Sequence, residues 1–219
     1  MEINLLIDHT YLKPFGTKEE IDRLLEEAIT YRFKSVCVNP TWVEYAAESL
    51  KKSDVLVCTV IGFPLGASTT STKVYETRDA LKKGAHEIDM VLNIGWVKDG
   101  EYEKVEKEVR AVKEVCQNRV LKVILETCYL SEEELEKAAR ASIDGGADFI
   151  KTSTGFGTGG ATVEDVRLMK KVAGEKGVKA SGGVKTLEDL HAMVEAGATR
   201  IGASSGVSLV KGEAGKEDY

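Results

Sequence analysis

The segment FIKTSTGFGTGGATVEDVRLMKKVA, residues 149–173, decides the fold. It opens with a short apolar run, Phe149-Ile150-Lys151, which reads as a strand over Phe149–Thr152. On a strand Phe149 and Lys151 share one face and Ile150 takes the other. A glycine-rich loop follows, and Thr162 then starts VEDVRLMKKVA with an acidic first turn, as a helix N-cap does. The segment is thus one strand–loop–helix unit carrying a lysine in its strand. With both faces of the strand covered, Lys151 is a cation aimed into the protein interior. At the edge of a sheet it would instead reach water past an apolar stem.

Outward from this unit the same pattern repeats. Strand candidates are Leu5–His9, Ser35–Val38, Val55–Ile61, Glu87–Leu92, Val120–Glu126, Phe149–Thr152, Val178–Ser181 and Arg200–Ala203. The first is the weakest, because LLID also fits a helical turn. Helices begin at Thr17 and Ser131, each followed three residues later by glutamate in a capping box, and at Thr186. Gly84, Gly145-Gly146 and Gly197 sit where helical runs stop. No proline- or serine-rich linker interrupts the 219 residues, which read as one domain, 1–219, with a tail at 212–219. Repeated strand–helix units imply a parallel sheet, and eight of them favour a closed (β/α)8 TIM barrel over an open doubly wound sheet.

Composition narrows the functional classes. The net charge of −6 leaves no basic footprint for nucleic acid. Cys37, Cys58, Cys116 and Cys128 show no CxxC spacing and read as free thiols in a reducing compartment. The start, MEINLLIDHT, resembles no secretory signal, and no run has the length of a membrane span, so a cytoplasmic protein is expected. His9, His86 and His191 are scattered and make no metal-ligand spacing, so neither a metal nor a cofactor is expected.

Polar residues gather at the carboxyl ends of the strands, where barrels carry their chemistry. Asp89 alternates with the apolar Ile88 and Met90, so it faces the barrel interior if they face the helices. Lys179 and Ser181 share that face, as do Lys122 and Glu126. Lys151 and Lys179 then converge from adjacent units, and a like charge nearby disfavours protonation of the attacking amine. Asp89 would carry protons. The alternative is a buried Lys–Asp–Lys–Glu network that only satisfies itself. Ser181-Gly182-Gly183 and Gly202-Ala203-Ser204-Ser205 close strands seven and eight, where barrels often hold phosphate on backbone N–H groups. Gly155–Gly160 formally matches GxGxxG, but the next strand ends in Ser181-Gly182-Gly183 rather than in an acidic residue, which argues against a dinucleotide. That loop reads as a mobile rim of the site.

FIKTSTG around Lys151, EIDMV around Asp89, LKVILET around Lys122 and Glu126, VKASGGVKT around Lys179 and RIGASSG at 200–206 together resemble the deoxyribose-phosphate aldolase family. IDHT at 7–10 and VCVNP at 36–40 fit as well. The resemblance spans nearly the whole chain. It implies a class I, metal-free carbon–carbon lyase that reversibly cleaves 2-deoxy-D-ribose 5-phosphate to D-glyceraldehyde 3-phosphate and acetaldehyde, in deoxyribose phosphate catabolism. By position it implies Lys151 as the Schiff-base lysine, Asp89 as proton donor and acceptor, and Lys179 as a further proton donor and acceptor and the neighbour that perturbs Lys151. It aligns Gly182, Gly183, Ser204 and Ser205 with the phosphate loops, and Thr154 and Cys37 with substrate contacts. A homo-oligomer, dimer or tetramer, is expected. Some relatives carry lysine where this chain has Phe156, and some end in tyrosine, as this chain does at Tyr219. The competing readings are a phosphate-binding barrel without this chemistry and a class I aldolase acting on a ketose phosphate.

Overall fold

In the computed structural model, which describes residues 2–213, eight parallel strands close into a barrel in sequence order. The strands are β1 (Ile7–Tyr11), β2 (Ser35–Val38), β3 (Leu56–Ile61), β4 (Glu87–Val91), β5 (Val120–Ile124), β6 (Phe149–Lys151), β7 (Gly177–Ser181) and β8 (Arg200–Ala203). The helices are α1 (Lys18–Tyr31), α2 (Val43–Leu50), α3 (Thr70–Lys82), α4 (Ile94–Lys98), α5 (Tyr102–Cys116), α6 (Glu132–Asp144), α7 (Val163–Ala173), α8 (Leu187–Glu195) and α9 (Gly206–Lys211). β8 pairs with β1, with Ile7 opposite Ile201, so no strand edge is left open. Most of the expected tail, and Tyr219 with it, lies outside the described residues.

Strand alternation sorts the side chains into two layers. Val36, Val57, Ile88, Met90, Leu121, Val123, Ile150, Val178 and Ile201 join one large buried cluster with the apolar stripes of the helices, such as Ile21, Leu25, Val105, Val109, Leu135 and Met169. The intervening residues, Cys37, Cys58, Asp89, Lys122, Lys151 and Lys179, fill the barrel interior and are buried. Thr17 and Ser131 make the expected capping boxes, and Thr162 and Thr186 accept from the backbones of Asp165 and Asp189. Each such cap contributes on the order of 1 kcal/mol.

Most strand ends fall within one residue of the sequence reading, and the larger differences are at β1 and β5. Ile3–Leu6 is a turn of 3-10 helix, and β1 starts only at Ile7. The cause is Asn4, whose amide donates to the carbonyls of Tyr31 and Arg32 at the end of α1. β5 stops at Ile124 rather than Glu126. Leu125 and Thr127 still donate to Lys151 and Thr152, but Glu126 between them takes a left-handed backbone, φ 53°. Its carboxylate thereby turns toward Thr154 on the neighbouring loop.

Candidate active site

Lys151 is the last residue of β6, and in register it stands directly opposite Lys179 on β7, which stands opposite Arg200 on β8. Lys122 projects into the same space from β5. Four basic side chains thus line one half of the barrel wall, from β5 to β8. The carboxylates come from the other half: Asp8 on β1, and Glu87 and Asp89 on β4. All seven groups are nearly or completely buried. Charges so deep are tolerated only when paired, and here they are paired across the barrel axis.

Asp89 is the hub. Its Oδ2 lies 2.9 Å from Lys151 Nζ and 2.8 Å from Lys179 Nζ, and its Oδ1 lies 2.8 Å from Lys122 Nζ. Cys58 Sγ donates to Oδ1 at 3.2 Å. Burial alone would raise the Asp89 carboxyl, but Lys122, Lys151 and Lys179 outweigh it and hold the group well below its ordinary 3.8. Asp8 supports the hub from below. It lies 2.6 Å from Lys179 Nζ and 2.7 Å from Arg200, and Ser35 Oγ donates to it at 2.7 Å. Burial opposes the charge on Lys179, yet Asp8 and Asp89 hold its ammonium well above the ordinary 10.5. Glu87 closes the base of the cluster, 2.6 Å from Lys122 and 2.9 Å from Arg200.

The sequence reading treated Lys179 chiefly as a like charge pressing on Lys151. In the structure the Lys179 charge is met by two carboxylates before it reaches Lys151. The two lysines are coupled instead through the shared Asp89 Oδ2. Sequence reasoning also missed Glu87, Cys58 and Arg200 as members of this cluster, and did not connect Asp8, which it placed at a strand end, to Lys179. Part of the signal was available: Glu87 and Asp89 are two residues apart on one strand and share a face.

The loops above the cluster are tied to each other. Thr154 donates its backbone N–H to Glu126 Oε1 at 3.0 Å and its hydroxyl to Glu126 Oε2, while the hydroxyl accepts from Phe156 N. The N–H and hydroxyl of Thr154 are thus engaged within the protein. Ala161 N donates to Gly182 O, and a Cβ on Gly160 would fall 2.4 Å from that carbonyl oxygen. The glycine-rich loop is therefore anchored at both ends, at Glu126 and at Gly182. Phe156 is partly exposed and meets Phe63 edge-on at 5.4 Å.

Gly182 and Gly183 both take φ +78°, a left-handed pair that turns the chain directly above Lys179. Ser204 and Ser205 form the turn between β8 and α9 and are half-buried. Cys37 lies fully buried in a small apolar cluster inside the barrel with Leu12, Cys58 and Val60, under Phe63. His9 packs against Phe33, and its Nε2 lies 2.7 Å from Glu27 on α1, outside the charged cluster. His86 Nδ1 accepts from the backbone of Val57, and His191 is exposed on α8. No helix among the described residues is long and apolar enough to cross a membrane.

Residues 3–212 match the family model described as DeoC/LacD family aldolase. The chain belongs to that family. A deoxyribose-phosphate aldolase 2 of Bacillus licheniformis is 60% identical over 220 residues, covering 100% of this chain and 99% of the relative. A crystal structure of a putative deoxyribose-phosphate aldolase from Coccidioides immitis superposes with a TM-score of 0.94 at 43% identity, over 96% of this chain and 85% of that one. A deoxyribose phosphate aldolase from Aeropyrum pernix, described as a unique tetrameric structure, gives 0.90 at 34% identity, over 95% and 89%. The family and the closed eight-stranded barrel agree with the resemblance and the architecture read from the strand-end motifs.

Proposed function

We propose that this aldolase cleaves 2-deoxy-D-ribose 5-phosphate reversibly to D-glyceraldehyde 3-phosphate and acetaldehyde through a Schiff base on Lys151. The observation that carries this reading is the pairing of Lys151 Nζ with Asp89 Oδ2 at 2.9 Å, inside a barrel whose interior also holds Lys179 on the same oxygen. The full-length identity to the Bacillus licheniformis enzyme supports the substrate.

In this mechanism the Lys151 amine attacks C1 of the open-chain sugar, and loss of water gives an iminium. The iminium draws electrons from the C2–C3 bond. Removal of the C3 hydroxyl proton breaks that bond, glyceraldehyde 3-phosphate leaves, and an enamine stays on Lys151. A proton returned at C2 and hydrolysis then release acetaldehyde. Asp89, held ionised by its lysines, is the acceptor side of the proton traffic. Lys179, held protonated by Asp8 and Asp89, is the donor side. Gly182, Gly183, Ser204 and Ser205 provide the turns after β7 and β8 that receive the phosphate. Cys37 and Thr154 line the approach, Thr154 by fixing Glu126 rather than by a free hydroxyl.

The carboxylates number three against four basic side chains, so removal of one proton from the cluster leaves no carboxylate without a cation. That balance is what distinguishes this interior from a phosphate-binding barrel without chemistry, which has no use for a lysine beyond the balanced set. Following release of both products from deoxyribose 5-phosphate tests the reading. Equal turnover of unphosphorylated deoxyribose would remove the phosphate loops from it, and no turnover of either sugar would remove the aldolase. We place the protein in the cytoplasm as a homo-oligomer, dimer or tetramer, which light scattering of the eluted protein resolves.

A further inference from the structure

Cys37 on β2 and Cys58 on β3 stand directly opposite each other in register and project into the barrel beside Asp89. Their sulfurs and an Asp89 oxygen all lie within 4.8 Å of one another. Strand neighbours in direct register have Cα atoms about 4.8 Å apart, inside the range a disulfide tolerates. The aldol chemistry uses neither sulfur as a nucleophile. From this geometry we propose that Cys37 and Cys58 form a reversible oxidation site, at which a hydroperoxide oxidises Cys37 and Cys58 resolves the product to an intramolecular disulfide.

The two thiols are not equivalent. The Cys58 sulfur beside it, with Lys179 and Lys151, favours the Cys37 thiolate against the cost of burial, and moves that thiol down from 9.0. Cys58, buried and beside the Asp89 carboxylate, is held well above the same value. One sulfur is thus prepared to attack and the other to remain a thiol until needed. The Cys37 thiolate attacks one peroxide oxygen: the S–O bond forms, the O–O bond breaks, and hydroxide leaves and is protonated to water. Sulfur gives up two electrons to the peroxide. Cys58 sulfur then attacks the sulfenic sulfur; the S–S bond forms, the S–O bond breaks, and hydroxide leaves with the Cys58 proton as a second water. Asp89 Oδ1, 3.2 Å from Cys58 Sγ, is the acceptor that proton already faces. The bond removes the Cys58 donor from Asp89 and draws two side chains together under Phe63. Activity therefore falls with oxidation and returns with a thiol reductant. Intracellular disulfides are typically of this transient, sensing kind.

The test treats the wild-type protein with hydrogen peroxide and reads intact mass and the non-reducing peptide map. The expected result is loss of two hydrogens, a cross-link joining the peptides of Cys37 and Cys58, and aldol cleavage reduced roughly a hundredfold, recovered with dithiothreitol. In Cys58→Ala the same treatment should leave a dimedone-reactive sulfenic acid on Cys37 and no cross-link. Cys128, the one cysteine of the four that is not buried, is removed as Cys128→Ser to exclude its own oxidation. Direct accumulation of sulfinic acid on Cys37, or oxidation that vanishes with Cys128, overturns the proposal. The mass readout is independent of substrate, so it stands or falls separately from the assignment to deoxyribose phosphate.

Discussion

Two buried lysines of this chain sit on opposite sides of the barrel wall, and their surroundings differ. Lys73, on α3, is fully buried between that helix, α5 and the end of β4. Its ammonium donates to Val91 O at 2.8 Å and pairs one-to-one with Glu108 at 2.8 Å, and Glu108 also accepts from Thr70. Burial pulls Lys73 down from 10.5 and Glu108 up from 4.5, so each is shifted toward its neutral form. Lys151 instead shares its carboxylate with two other lysines, and lies at the end of β6. Its head meets no backbone carbonyl among the hydrogen bonds described. A buried lysine with its own carboxylate and a carbonyl is a strut. A buried lysine with only a share of a carboxylate is the one we propose for bond formation.

The sharpest way to break this comparison is to remove each amine in turn. Lys151→Ala should lower cleavage by a factor on the order of 10⁴ or more with little change in thermal stability. Lys73→Ala should do the reverse: it strands Glu108 and costs roughly 3–5 kcal/mol, while the folded fraction keeps its turnover. If Lys73→Ala abolished turnover in protein shown to be folded, the distinction between the two lysines would fail.

Replacing the whole outer pair sharpens it further. Because both members are shifted toward neutrality, Lys73→Met with Glu108→Leu should be close to neutral for stability, within about 1 kcal/mol or better than the parent. In the inner cluster the same logic runs the other way. Asp8→Asn leaves Lys179 and Arg200 facing fewer carboxylates and should cost roughly 3 kcal/mol as well as activity.

The inner cluster also predicts a pH dependence with a definite sign. Asp8 and Asp89 lie well below 3.8 in the folded state, so the unfolded chain binds more protons as the medium is acidified. Their contribution to stability is complete above about pH 4 and is lost progressively below it. Glu108 contributes in the opposite direction, since its folded value is raised: its share is present below 4.5 and lost as pH rises through the folded value. Acid titration of Tm should therefore show a steeper fall below pH 4 in the parent than in Asp8→Asn. The smallest effect belongs to the scaffold: Thr17→Ala should cost about 1 kcal/mol without altering turnover.

Much of the inner cluster was legible because strands have a period of two. Asp89 between Ile88 and Met90, and Lys179 two residues before Ser181, point inward as soon as the barrel is recognised. The partners that neutralise them were not legible, since Asp8 and Arg200 are 192 residues apart and meet only when β8 closes on β1. Lys73 and Glu108 were invisible for a related reason: each is one charged residue among many on an amphipathic helix, and only helix–helix packing tells which is buried. Glu126 went astray because a left-handed residue ends β5 where the apolar pattern continues. Cys37 and Cys58 read as free thiols without a partner spacing, and their opposition depends on the β2–β3 register.

The most direct test of the central claim is reductive trapping: incubation with acetaldehyde and sodium borohydride, followed by peptide mapping. The account predicts a two-carbon adduct on Lys151, absent from Lys151→Ala and absent from Lys73, Lys122 and Lys179. An adduct on Lys179 instead, or labelling spread over surface lysines with Lys151 unmodified, would contradict it.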